Sequence, residues 1–139
     1  SMTVKTETNF WKSLKKLLES GKGYCYSRIE SYATPGFPDC VIFHNVTGFF
    51  TIELKVATSS NKIQISTFQR AWNTIYSIHG APVFILVKLL GTGGVKMFSG
   101  SKAQELSEKT LDAVPGIYEG RLEDLDLCAV VRANSQTPP

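Results

Sequence analysis

Asp39, Glu53 and Lys55 are the side chains of this 139-residue chain whose types and spacing could do chemistry together. Asp39 follows Pro38 directly. Glu53-Leu54-Lys55 comes after a short apolar run and a turn signal. With the two-residue period of a strand, Glu53 and Lys55 share one face, while Ile52, Leu54 and Val56 share the other. If Asp39 opens the partner strand of a hairpin, the three charged groups meet at its open end. A carboxylate pair suits a hard divalent cation, and an adjacent ammonium suits a phosphate or an attacking water. The chemistry indicated is a metal site working on phosphate.

The elements that must position these groups follow from pattern. Phe10, Trp11, Leu14, Leu17 and Leu18 recur at helical spacing, with Lys12, Lys15 and Lys16 on the outer face. Thr6 or Thr8 is the expected cap of this helix and Gly21 its stop. Residues 24–29 read as a first strand and residues 31–38 as a loop rich in turn residues. Residues 39–44 form a nearly all-apolar second strand, expected to be central. Asn45-Val46-Thr47-Gly48 signals the turn into a third strand over 49–56. After the polar loop 57–62, Ser66-Thr67-Phe68-Gln69 is a capping box opening a helix. Phe68, Trp72, Ile75 and Tyr76 are expected to face inward, and Gly80 to stop it. Residues 82–89 predict a strongly apolar fourth strand. Residues 91–94 turn into a short strand over 95–98, and Ser101 to Gln104 open a third helix running to about residue 111. Signals weaken beyond Pro115, and 134–139 reads as a frayed tail. The order is α-β-β-β-α-β followed by a β-α addition, in one domain spanning residues 1–133.

Composition agrees with a folded domain: 42% hydrophobic and 19% charged residues. No apolar run nears the roughly 20 residues of a membrane span, and no membrane partner is expected. Three cysteines without CxxC spacing argue against a disulfide framework or a structural zinc site, and place the chain in a reducing interior. Cys40 reads as a buried small hydrophobe, and His44 and His79 as structural. The formal charge of +3 is uneven. Residues 1–102 carry 12 Lys/Arg against 5 Asp/Glu, whereas residues 103–139 carry 3 against 7. The basic part holds the motif, which fits a polyanionic partner or a solvated lysine-rich surface. Lys62 and Arg70 are the nearer candidates for phosphate contacts. Lys12, Lys15 and Lys16 are either further contacts or a solvated helix face.

Gly36-Phe37-Pro38-Asp39, Glu53-Leu54-Lys55 and Ser66-Thr67-Phe68-Gln69, in that order on an αβββαβ plan, resemble the motifs of the PD-(D/E)xK nuclease superfamily. The chain is most similar to VRR-NUC domains and to archaeal Holliday-junction resolvases over about residues 6–89. Glu7 ahead of Phe10-Trp11, and Arg28-Ile29-Glu30 ahead of the Gly-x-Pro-Asp turn, resemble phage-encoded members.

The resemblance implies a restriction-endonuclease-like α/β fold, with a mixed β-sheet flanked by helices. It implies a metal-dependent endonuclease using Mg²⁺, with Mn²⁺ as substitute, acting on DNA in the cytoplasm (of the host, for a phage protein). Asp39 and Glu53 would be metal ligands, the Leu54 carbonyl a third oxygen, and Glu7 a further carboxylate, with Glu30 its rival. Lys55 would position the attacking water. Gln69 would sit beside the site, although the capping box explains the same residue without catalysis. Branched or junction DNA cut by a homodimer is the expected substrate. The rival readings are a nucleic-acid-binding module that lacks chemistry, and an interaction subunit docking a basic partner on its acidic stretch, residues 119–126.

Overall fold

The computed structural model describes residues 2–30, 34–91 and 93–135. Part of the loop expected over 31–38, and most of the tail expected over 134–139, lie outside these residues. Asn134 and Ser135, at the start of that tail, hydrogen-bond back to Val130 and Val131.

The first helix, α1 (Met2–Ser20), begins well before the expected caps, so that Thr6 and Thr8 lie within it. Its last turn closes at Gly21, whose N–H donates to the Leu17 carbonyl. Phe10, Leu14 and Leu18 are fully buried along one face, at the i, i+4, i+8 spacing of a helix laid on a sheet.

Strands β1 (Tyr24–Arg28), β2 (Cys40–His44) and β3 (Gly48–Val56) form an antiparallel meander. Helix α2 (Thr67–Ile78) then crosses over to β4 (Val83–Lys88), which runs parallel to β3. Five of the six β4 residues are buried, as a two-sided central strand requires. Strand β5 (Gly94–Ser99), helix α3 (Ala103–Glu108), strand β6 (Tyr118–Arg121) and helix α4 (Leu127–Ala133) complete the fold. The strands lie side by side in chain order, β1 to β6. This is a mixed six-stranded sheet with helices on both faces, the expected fold class.

The two faces bury separate cores. One packs Phe10, Leu14 and Leu18 of α1 and Val131 of α4 against Cys40, Ile42, Ile52, Leu54 and Leu86. The other packs Ala103 and Leu106 of α3 with Ile63 against Ile85, Val87 and Phe98. The alternation along β3 thus sends Ile52 and Leu54 to the first core and Glu53 and Lys55 to the other face.

Three expectations are corrected. Phe68, Ile75 and Tyr76 are exposed and Trp72 is only half-buried. The stripe of α2 turned to the sheet is Gln69, Asn73 and Ser77, and Asn73 is the buried residue of the helix. Gln69 bonds fix the rotation (below), and Gly100 lets the polar stripe come close. A Cβ there would stand 2.7 Å from Val83 Cγ2 and 3.0 Å from both Asn73 Oδ1 and Ser77 Oγ.

The cap expected at Ser101 is Ser99, which accepts from the Ser101 N–H and opens a single 3₁₀ turn before α3. α3 itself stops at Glu108, short of residue 111. The segment beyond Pro115 is ordered. Its four-residue strand and seven-residue helix are too short to show a period, and buried Leu122, Leu125, Leu127 and Val131 hold them.

Candidate active site

The β2–β3 register pairs Cys40 with Ile52. One further step brings Asp39 opposite Glu53, so hairpin geometry alone assembles the carboxylate pair. Pro38 is buried before it. Gly36, at φ +85, lets the preceding loop rest on the first turn of α2. A Cβ there would fall 2.4 Å from the Phe68 carbonyl oxygen, which no side chain could tolerate.

Asp39 is held on both oxygens. Oδ2 accepts the Leu54 N–H at 2.7 Å. Oδ1 forms a 3.1 Å ion pair with Arg28 Nη1. The same Arg28 nitrogen donates to the Asp39 main-chain carbonyl at 2.9 Å, and the guanidinium lies over the Trp11 ring. Leu54 turns its N–H toward Asp39. Its carbonyl leaves the strand on the same side and faces the same way.

Glu53 is wholly buried. Its Oε1 accepts from Gln69 Nε2 at 2.9 Å, while Oε2 has no hydrogen-bond partner. A buried carboxylate with an unsatisfied oxygen is costly in its charged form. The Glu53 pKa is accordingly pushed up to about 9, first by burial and then by the neighbouring Asp39 charge, with Lys55 pulling the other way. Without a cation, burial and the Asp39 charge favour the protonated form, which can share its proton with Asp39.

Gln69 joins the pieces. Its Oε1 accepts from Lys55 Nζ at 2.7 Å and from the Ser66 N–H at 3.0 Å, and its own N–H donates to Ser66 Oγ at 3.1 Å. One Gln69 side chain thus both caps α2 and bridges Glu53 to Lys55.

Asp39, Glu53, Lys55 and Gln69 are thus brought together. Glu7 is exposed; it and Glu30 line the cavity of about 440 Å³ that also contains Arg28, Asp39 and Gln69. Among the described residues, no three His, Cys, Asp or Glu side chains are gathered closely enough to hold a metal between them. A cation at Asp39 and Glu53 would therefore depend on the Leu54 carbonyl, water or a movement of Glu7 to complete its shell.

Lys62 and Arg70 are drawn to the α3 side, where Lys62 Nζ donates to the Glu108 carbonyl and Arg70 Nη1 to Ser107 Oγ. Lys12, Lys15 and Lys16 are exposed, and Lys15 lies 3.9 Å from Glu19. Sequence reasoning did not assign Arg28 its role on Asp39. The two are 11 residues apart across a loop, and no spacing marks the contact. It also left His44 without a partner, which the structure supplies from Cys128.

No family model matches the chain, and no curated protein does. Among solved structures it is similar to Hjc, a Holliday junction resolvase from the archaeal hyperthermophile Archaeoglobus fulgidus. The identity is 19% and the TM-score 0.50, over 91% of this chain and 92% of that one. The likeness shows the fold: a mixed α/β sheet flanked by helices, of the restriction-endonuclease-like kind.

Proposed function

We propose that this chain is a metal-dependent endonuclease that hydrolyses DNA phosphodiester bonds, of the VRR-NUC or Holliday-junction-resolvase-like kind and phage-type. The observation that carries the reading is wholly buried Glu53, with one unsatisfied oxygen, beside Asp39 and joined through Gln69 to Lys55. A structural ion pair has no need of that free oxygen, whereas a cation site does.

The donor set fits a hard divalent ion such as Mg²⁺, or Mn²⁺ in its place. Asp39, Glu53 and the Leu54 carbonyl would hold it, with Glu7 at the cavity rim as the further carboxylate. Such an ion lowers the pKa of a bound water and polarises the phosphate. The remaining work belongs to the side chains. Gln69 fixes the Lys55 ammonium where it can orient the attacking water and offset the charge growing on the phosphate. Arg28 holds Asp39 from the opposite side. Exposed Lys12 and Lys16 are free to take phosphate contacts along the backbone. Lys62 and Arg70 could join them only by leaving their α3 partners.

Branched DNA is the substrate this reading favours, because the solved structure of similar fold is a Holliday junction resolvase. A homodimer would present two sites to the two strands of a junction. An uncovered half of the sheet supports the second copy. On the α2 side, β2 and β3 present Val41, Phe43 and Phe49, with Phe49 68% exposed and against Phe43. Phe68, Trp72 and Tyr76 line the flank of α2 on that side, and Phe37 packs on Trp72. No lysine or arginine stands among these residues, so the face is built for a protein surface and not for phosphates. Phe49, Phe68 and Tyr76 are all exposed there, and neighbouring exposed aromatics of this kind mark an interaction surface.

Asp39→Asn and Lys55→Ala should each leave a folded protein that no longer cuts DNA in Mg²⁺. Full cleavage by either would overturn the assignment. Folded variants and wild type that bind DNA without cutting it would favour the binding module.

A further inference from the structure

Two backbone N–H groups place Asp39 without help from any other side chain. The Ile29 N–H donates to its main-chain carbonyl at 2.7 Å, and the Leu54 N–H donates to its Oδ2 at 2.7 Å. The residue is thereby fixed from the end of β1 on one flank and from β3 on the other. Arg28 adds a 3.1 Å ion pair to Oδ1, and a 2.9 Å donation to the carbonyl that Ile29 already serves. Positioning leaves the guanidinium little to do, and what it brings to Asp39 is charge.

That charge sits where a cation would act. The Arg28 and Asp39 side chains are 30% and 27% exposed, so water screens the pair only in part. A divalent ion held by Asp39 would stand against the guanidinium, like charge against like, and the repulsion opposes its binding. The arginine is also able to leave. Its guanidinium lies 5.6 Å from the centre of the Trp11 ring, and Trp11 meets Tyr26 edge-on at 5.8 Å, an aromatic contact with no hydrogen bond to break. Glu30 is exposed on the wall of the cavity that also contains Arg28 and Asp39, and offers a carboxylate outside the pair.

We propose that Arg28 is a resident cation on Asp39 that a divalent ion must displace, so that this ion pair sets the threshold for metal binding. The proposal rests on the reading of Asp39 and Glu53 as a cation site. In the metal-free protein Arg28 offsets the Asp39 charge. On metal binding the guanidinium gives up Oδ1, turns toward Glu30 and leaves the face of Trp11. A monovalent ion brings Asp39 no more charge than the guanidinium already supplies, so the exchange favours divalent ions.

Trp11 makes the exchange visible. The full chain has two tryptophans, and Trp72→Phe leaves Trp11 as the single emitter. Mg²⁺ is titrated into this parent protein while Trp11 emission and binding heat are followed in parallel. Emission should change and saturate together with the heat. Arg28→Gln in the same background should bind Mg²⁺ at least about tenfold more tightly, with no emission change, whereas Arg28→Lys, which keeps the charge, should bind within about threefold of the parent. The parent titration leaves Arg28 in place and stays decisive if Arg28→Gln does not fold. Mg²⁺ binding to the parent without an emission change, an emission change that persists in Arg28→Gln, or binding by Arg28→Gln no tighter than the parent would overturn the proposal and leave the cation site standing. No Mg²⁺ binding by either protein would remove the cation site, and this proposal with it.

Discussion

Glu53 shows how one residue links burial, protonation and function. Its folded pKa of about 9 lies above the ordinary value of 4.5. The folded, metal-free protein therefore binds this proton more tightly than the unfolded chain does. The stability that proton contributes is fully present below about pH 4.5 and is lost as pH rises through about 9. Urea denaturation in chelator should show the wild type weakening across that window, while Glu53→Gln, which cannot ionise, should lack this part of the slope. A slope unchanged by the substitution would mean that Glu53 is charged in the folded state.

Mg²⁺ should reverse the loss, because a bound cation favours the ionised carboxylate. The same linkage predicts proton release on metal binding near neutral pH, measurable by calorimetry in buffers of different ionisation enthalpy. At this scale the sequence was informative. Asp39, Glu53 and Lys55 were legible because a short hairpin fixes its own register. The Arg28 clamp was not, since it depends on the path of a loop.

Element by element, legibility tracked how many patterns competed for one segment. Strands β2 to β4 carry one dominant apolar run each and could be read directly. α2 carries two stripes: an apolar one through Phe68, Trp72 and Tyr76, and a polar one through Gln69, Asn73 and Ser77. The apolar stripe is the natural choice for the core, yet Gln69, hooked onto Glu53 and Lys55, turns the polar stripe inward. The site thus dictates the helix face, and the displaced aromatics become the surface assigned to a second copy.

Phe49→Asp or Phe68→Asp should leave the fold within about 0.5 kcal/mol of wild type, as at other exposed positions, while shifting sedimentation toward monomer. A dimer that survives both changes would move the interface elsewhere. The loop before β2 makes a separate prediction. Gly36→Ala should cost about 1–3 kcal/mol through its positive φ and its contact with the Phe68 carbonyl, and DNA cleavage should fall as Asp39 shifts. Wild-type stability and cleavage in that variant would show that the loop does not set the position of Asp39.

Across the whole molecule, charge and architecture point the same way. The basic first 102 residues carry the candidate site, while the acidic remainder supplies α3, β6 and α4. That remainder was the least legible part, because short elements held by scattered leucines leave no period to read. The proposal that the paired carboxylates hold a divalent cation for DNA cleavage rests on Asp39 and Glu53 together. The most direct measurement incubates the wild type with a labelled four-way junction, a flap, a single strand and supercoiled plasmid, in Mg²⁺, in Mn²⁺ and in chelator. Cleavage is expected in either metal, strongest on the branched substrates, and none in chelator. No cleavage of any substrate with either metal, or cutting that persists in chelator, would contradict it.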